Sequence, residues 1–421
     1  MSFLKASSSI SASILARTTA AAVAACVATS LASAQDGADR VAADVAKVSE
    51  AYLIGPAAAG QLGCRVSWQA LIPVPTSHGL TQVSASPMGV LALNSRNEVS
   101  LVRPENGNRA WTASAAQSSD RVLALEIVEV TGRDGNPTNR IMVTTDTVIY
   151  GIDIENGATV LRSRPRLPAN TTPLVVGSSL VFGTRLGQVS WFGASHGTEY
   201  RAYTVDGPTG KSPITAAPAL GSGVVVAGSS IGTVAGLDAG SGMSMWRREL
   251  LGGVSASPVI AGSQVFVASE DQYLYAFDLE SGSTMWKYFT QSPLTRAPFA
   301  AGNIVVQDIP GEGWVAFAQS TANPGGEVLW KKTGLDGRPI GTVDGALLYW
   351  CNQHRVATLV DMKKGDVVRK IELPAVKRLM ADDLEDGGLV AWSDDGRIER
   401  LSPVAKPAVA TQPAADAASN G

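Results

Sequence analysis

Histidine, cysteine and charge are all scarce in this chain of 421 residues. The three histidines, His78, His196 and His354, have no partner at i+4 and no Cys or acid at metal-ligand spacing, which speaks against a metal centre. Charged residues make up 17% against 45% hydrophobic, so the chain is not of the disordered class and can bury a large core. No Gly-x-Ser-x-Gly elbow precedes a helix; the many Gly-Ser pairs read as hairpin turns. The run Asp382-Asp383-Leu384-Glu385-Asp386-Gly387 lacks the alternating acids of a calcium loop and reads as a solvated strand connection. Asp394-Asp395-Gly396 reads as a hairpin turn. What is abundant is glycine, 43 residues, as expected for a chain with many tight turns.

Residues 1–34 have the three parts of an export signal. Lys5 and Arg17 make a basic, Ser-rich start, Thr18–Leu31 is an Ala/Val-rich apolar run, and Ala32-Ser33-Ala34 offers small residues before a cleavage point at Ala34–Gln35. The apolar run is too short to span a membrane. Val23-Ala24-Ala25-Cys26 resembles a bacterial lipobox and leaves acylation of Cys26 as the alternative to plain cleavage. Removing Lys5 and Arg17 leaves 32 bases against 37 acids, a net charge of −5, unsuited to nucleic acid as the main partner. An exported chain can keep disulfides, but the two remaining cysteines, Cys64 and Cys351, make no framework. Both lie in apolar surroundings and read as buried structural residues, with a bridge between them as the alternative.

The rest of the chain repeats. Tyr275-Ala-Phe-Asp-Leu-Glu-Ser-Gly282-Ser-Thr-Met-Trp286 carries Ala276, Asp278, Gly282 and Trp286 in the places that Gly236, Asp238, Gly242 and Trp246 hold one period earlier. The closing positions are Trp68, Trp111, Leu161, Arg201, Trp246, Trp286, Trp330 and Arg369. Asp153 and Gly157 survive in the Leu161 repeat, as do Asp361 and Gly365 in the Arg369 repeat. A polar cluster at Thr131–Thr138 accounts for the longest interval, between Trp111 and Leu161. X-Pro steps open the units, at Ser86-Pro87, Thr172-Pro173, Ala217-Pro218, Ser257-Pro258, Ala297-Pro298 and Arg338-Pro339. Short β-branched runs such as Val224–Ala227 and Gln264–Ala268 alternate with Gly-rich turns, an all-β array.

Trp68 has no strands of its own before it, whereas Leu379–Leu401 supplies about three strands with no closing Trp. Closing the ring with the Trp68 segment removes the open edge. The expected fold is therefore an eight-bladed β-propeller over residues 63–402, with seven blades as the alternative. The expected organisation adds an export signal (1–34), a helical segment (35–62) and a disordered Pro/Ala-rich tail (403–421). In the helical segment Val41, Val45, Val48 and Tyr52 form a stripe that Gly55-Pro56 stops, and that docks on the propeller, with docking on a partner as the alternative. The repeated tryptophans and glycines read as blade packing, with small residues allowing close backbones under a flat indole.

The phrase Ala-x-Asp-x-x-x-Gly-x-x-x-Trp, carried by Ala276, Asp278, Gly282 and Trp286, resembles the PQQ-like repeat of quinoprotein β-propellers. That resemblance implies one of two branches. Quinoprotein dehydrogenases hold pyrroloquinoline quinone and calcium over the propeller centre, commonly above a Cys-Cys pair that is missing here, and are much longer. BamB-type periplasmic scaffolds have eight blades, no cofactor and a comparable length, and the chain is more similar to these. This implies a non-catalytic platform for envelope proteins, with the outer-membrane barrel-assembly machinery as a partner and a lipid anchor as its membrane contact. In that family an inter-blade loop placed like Gly207–Ser212 touches the partner, which makes Thr209, Gly210 and Lys211 candidate contacts, although this loop lacks bulky apolar anchors. A cell-envelope glycan binder is a further alternative.

Overall fold

The computed structural model describes residues 51–75, 79–132, 135–206, 211–382 and 387–404. Cys26, Ala34, Gln35, the valines of the expected helical stripe, His78, Thr209, Gly210 and the tail from residue 405 lie outside the described residues.

Eight four-stranded antiparallel sheets form the eight blades of a propeller. Blade 1 begins with Leu80–Ser86 and ends with Arg109–Ser114, and the corresponding strands of blade 2 are Val122–Thr131 and Thr159–Ser163. Blade 3 runs from Leu174–Val176 to Thr198–Thr204, blade 4 from Ala219–Gly221 to Ser244–Glu249, and blade 5 from Val259–Ala261 to Thr284–Phe289. Blade 6 runs from Phe299–Ala301 to Val328–Lys332 and blade 7 from Arg338–Val343 to Val367–Glu372. Blade 8 takes Arg378–Ala381, Leu389–Trp392 and Arg397–Pro403 from the end of the chain, and its outer strand, Cys64–Leu71, from the beginning. The pairing Cys64↔Pro403 through Leu71↔Arg397 closes the ring by giving blade 8 its fourth, outer strand.

First strands of neighbouring blades touch one another and line the centre. The middle strands are mostly apolar and buried along most of their length, because a blade covers each face. All five residues of Val224–Gly228 and of Gln264–Ala268 are buried. Outer strands alternate instead. In Thr284–Phe289 Trp286 turns inward and is buried, while Lys287 points out. Arg247, Arg248, Lys287, Lys331 and Lys332 mark the rims of blades 4 to 6 with charge, which discourages pairing with a foreign strand.

The core is divided as the ring is: each of eight apolar clusters spans one joint between two blades. The joint of blades 7 and 8 also takes in Leu53, Ile54, Ala59 and Leu62 from the segment before the ring. Gly55-Pro56 does not simply end a helix there. Pro56 occupies the first turn of a short helix, Pro56–Gln61, where its missing N–H is no loss.

Ser86-Pro87 opens no unit. It forms the tip of the first hairpin of blade 1, between strands Leu80–Ser86 and Gly89–Asn94, where proline's fixed φ suits a turn. The steps at Pro173, Pro218, Pro258 and Pro298 do stand directly before first strands. The expected long hairpin is that of Val122–Thr131 with Pro137–Thr145. Asp382 is not solvated: it is buried and its Oδ2 accepts from Arg400 Nε at 2.9 Å, tying the first hairpin of blade 8 to its third strand. Asp394–Gly396 is a hairpin turn, with Gly396 at φ +91°.

Candidate functional site

The repeated phrase builds a clasp between blades. Asp278 accepts at Oδ1 from Ser281 N (2.8 Å) and Ser281 Oγ (2.7 Å), and Gly282 N closes the turn on Asp278 O (2.9 Å). Those Ser281 bonds hold the Asp278 carboxyl below its ordinary value, and Ser241 does the same for Asp238. The turn puts Gly282 at φ +65° flat against the indole of Trp246, the closing residue of the preceding blade. Trp246 Nε1 in turn donates to Leu279 O (2.8 Å), the carbonyl one residue after Asp278. Room for the indole comes from the small residue of the phrase: Gly236 pairs with Trp246, and Ala276 with Trp286.

The same donor recurs around the ring. Trp68 reaches Pro104 O (2.7 Å), Trp111 reaches Ile154 O (2.8 Å), Trp286 reaches Gln319 O (2.9 Å) and Trp330 reaches Met362 O (2.9 Å). Where the phrase diverges, another group takes over. In blade 2, which closes on Leu161, Arg140 from the second strand donates to Ala194 O (2.7 Å). Blade 3 closes on Arg201, and Trp191 of its third strand donates to Ala239 O (3.1 Å) beside Arg201 Nη1 on Gly240 O (3.2 Å). At the ring closure Arg369 donates to Gln61 O (2.7 Å), the end of the short helix. Each of the eight joints thus carries at least one such donor, each bond worth roughly 0.5–1.5 kcal/mol net. The result is a rigid disc.

Function on such a disc belongs to its loops. Lys211, the described member of the expected partner loop, is exposed at the connection between blades 3 and 4. It borders a cavity of about 400 Å³ shared with Arg166, Leu186 and Glu199. The neighbouring loops supply the apolar bulk missing from the loop itself. Ser230 N donates to Pro213 O (2.9 Å), which places Ile231, 59% exposed, next to this segment. On the far side of Ile231 the blade 4–5 connection approaches, with Gly232 so close to Gly252 O that a Cβ would fall 2.5 Å from it. That connection carries Leu251 near its start, 98% exposed, whose N–H is held by Asp271 Oδ2 (3.2 Å). Leu186, Lys211, Ile231 and Leu251 therefore form one ledge over blades 3 to 5. Sequence reasoning missed Leu186, Ile231 and Leu251; an apolar residue in a Gly- and Ser-rich turn was the available signal.

His196 and His354 are exposed on turns, and no group of three or more His, Cys, Asp or Glu able to hold a metal occurs among the described residues. Cys64 and Cys351 are both buried and are not bridged to one another. First strands present small and aliphatic residues to the centre, as in Ala219-Leu220-Gly221 and Val259-Ile260-Ala261. No helix among the described residues is long and apolar enough to cross a membrane.

Fold and clasp together define an eight-bladed β-propeller built from PQQ-like repeats. Residues 134–288 match the family model described as outer membrane protein assembly factor BamB, and the chain is a propeller of the BamB type in fold. Its structure is similar to that of BamB from Moraxella catarrhalis, with a TM-score of 0.58 and 20% identity over 76% of this chain and 93% of that one. It is also similar to the computationally designed Ika8 protein, with a TM-score of 0.57 and 16% identity over 79% of this chain and 98% of that one. No curated protein matches the chain.

Proposed function

We propose that the protein is a non-catalytic scaffold of the bacterial envelope that binds other envelope proteins through the ledge over blades 3 to 5, with outer-membrane protein assembly as its setting. One observation carries this reading: a rigidly clasped disc holds a fully exposed leucine, Leu251, beside Ile231 and a cationic Lys211. An apolar anchor with a polar rim is the composition of a protein-binding hot spot. The likeness to a BamB structure and the match over residues 134–288 support the setting. Export through residues 1–34, with cleavage after Ala34 or acylation at Cys26, brings the scaffold to the periplasm or the periplasmic face of the outer membrane.

The test is site-specific photocrosslinking in the native host from residue 251, with residue 362 as a control in a different blade. The scaffold reading expects one or a few envelope proteins captured from 251 and lost when Ile231→Asp is introduced beside it. Failure to capture any envelope protein from 251 would refute the ledge. Reduction of a redox dye after adding pyrroloquinoline quinone and calcium would refute the non-catalytic role. The mass of the mature N-terminus distinguishes Gln35 from acylated Cys26.

A further inference from the structure

The repeat itself shows where blades 6 and 7 have been altered. By strand register, Trp314 stands where blades 4 and 5 have Val234 and Leu274, and Trp350 stands where they have Gly228 and Ala268. Arg338, in the X-Pro step of blade 7, replaces the small Ala217 and Ser257 of blades 4 and 5. None of these three changes is needed for the clasp, which Trp330 completes at this joint. All three line a single crevice of about 650 Å³ between blades 6 and 7, together with Arg296, Phe299 and Asn352.

The polar groups of that crevice include several donors, beside the amide groups of Asn352 and Gln353. Arg338 is exposed and has no ion pair or side-chain hydrogen bond among the described residues. Arg296 is paired with Asp308, which leaves a surplus of one positive charge. Trp314 is only 4% exposed, yet its indole N–H has no partner among the described residues, unlike the indoles that close the blades. Asn352 uses its Oδ1 to accept from Trp350 Nε1 at 2.6 Å, so its amide N–H₂ is what it has left to offer. Phe299, Pro298 and Pro339 give the walls apolar surface, while the Trp350 ring is sealed in the joint of blades 7 and 8. A cationic donor with no acid in the lining to match it fits an anion, and apolar walls fit a ring or hydrocarbon body behind it.

We infer that the crevice between blades 6 and 7 binds a small organic anion, its carboxylate or phosphate held by Arg338 and the Trp314 indole N–H and its body packed on Phe299. This stands apart from the scaffold reading, because the ledge lies over blades 3 to 5. The test follows the indole N–H signals of the full-length ¹⁵N-labelled protein by nuclear magnetic resonance during titration with phenyl phosphate, phenylacetate, glucuronate and neutral benzyl alcohol. Trp314→Phe assigns the signal by its loss. The inference expects a saturable shift of the Trp314 signal with at least one anion and binding of benzyl alcohol at least tenfold weaker. In Arg338→Ala the dissociation constant rises ~10-fold or more, the loss of a charge-assisted hydrogen bond. Preference for phosphate or for carboxylate among the anions identifies the headgroup. No saturable shift with any of the three anions, or equal affinity for benzyl alcohol, overturns the inference in the unmodified protein. An unchanged dissociation constant in a folded Arg338→Ala variant overturns the role of Arg338.

Discussion

Replacing Gly282 by alanine tests whether the inter-blade clasp stabilises the disc. Two costs arise. Gly282 has φ +65°, a conformation that costs an L-residue ~1–2 kcal/mol. Its new Cβ would also fall 2.4 Å from Trp246 Cδ2 and 2.6 Å from Cε3, and the buried indole, pinned by its bond to Leu279 O, has no room to retreat. Overpacking of this kind costs ~1–3 kcal/mol. Gly262 in the same blade separates the two costs. Its φ is +58°, yet a Cβ there would meet nothing within 4 Å. Both variants gain back ~0.4–1 kcal/mol from a less flexible unfolded chain. The net loss is then about 1 kcal/mol for Gly262→Ala and about 2–4 kcal/mol for Gly282→Ala. With an unfolding entropy of ~2.1 cal/mol/K per residue, a ring of this size loses ~1.4 °C of Tm per kcal/mol. Thermal unfolding followed by tryptophan fluorescence should therefore place Gly282→Ala ~3–6 °C and Gly262→Ala ~1–2 °C below the parent. Equal shifts in the two variants would refute the clasp as a source of stability.

Arg140→Met removes the donor that replaces the indole in blade 2 and leaves Ala194 O without it, so Tm should fall by more than in Arg121→Met, whose arginine is exposed; the expected loss is ~1–3 kcal/mol, measured by calorimetry. Glu399 is wholly buried on the third strand of blade 8, where its Oε2 accepts from Leu53 N (2.8 Å) and Ile54 N (3.1 Å). Burial pushes its carboxyl up to about 7, against the opposing pull of those N–H groups and of Arg397. Between the unfolded value of about 4.5 and 7 the folded state holds the extra proton. This group's contribution is therefore most favourable below pH 4.5 and is lost as pH rises through 7. Glu399→Gln keeps an acceptor for the two N–H groups and cannot titrate. The Tm of the parent minus that of Glu399→Gln should decline from pH 4.5 to pH 8, and a constant difference would exclude this role for Glu399.

Local order along the chain determined much of this molecule. A blade cannot bury its two faces alone, so a phrase that repeats about every forty residues implies stacked blades, and Trp68 without preceding strands implies closure by the first segment. The phrase itself is local, since Asp278 caps its own turn and Gly282 takes φ above zero within it. Partners from distant strands were not legible in this way. The substitution of Arg140 and Trp191 for missing indoles depends on side chains from other strands reaching the same turn carbonyl, and that of Arg369 on the short helix before the ring. The burial of Asp382 needs Arg400 across a hairpin, and the ledge needs three loops from blades 3 to 5. The crevice of Arg338, Trp314 and Trp350 likewise joins residues of two blades. Periodicity specifies how each blade meets its neighbour, because that contact is repeated eight times. What a given joint or face offers to another molecule depends on the places where the repeat is broken, and only the assembled ring brings those together.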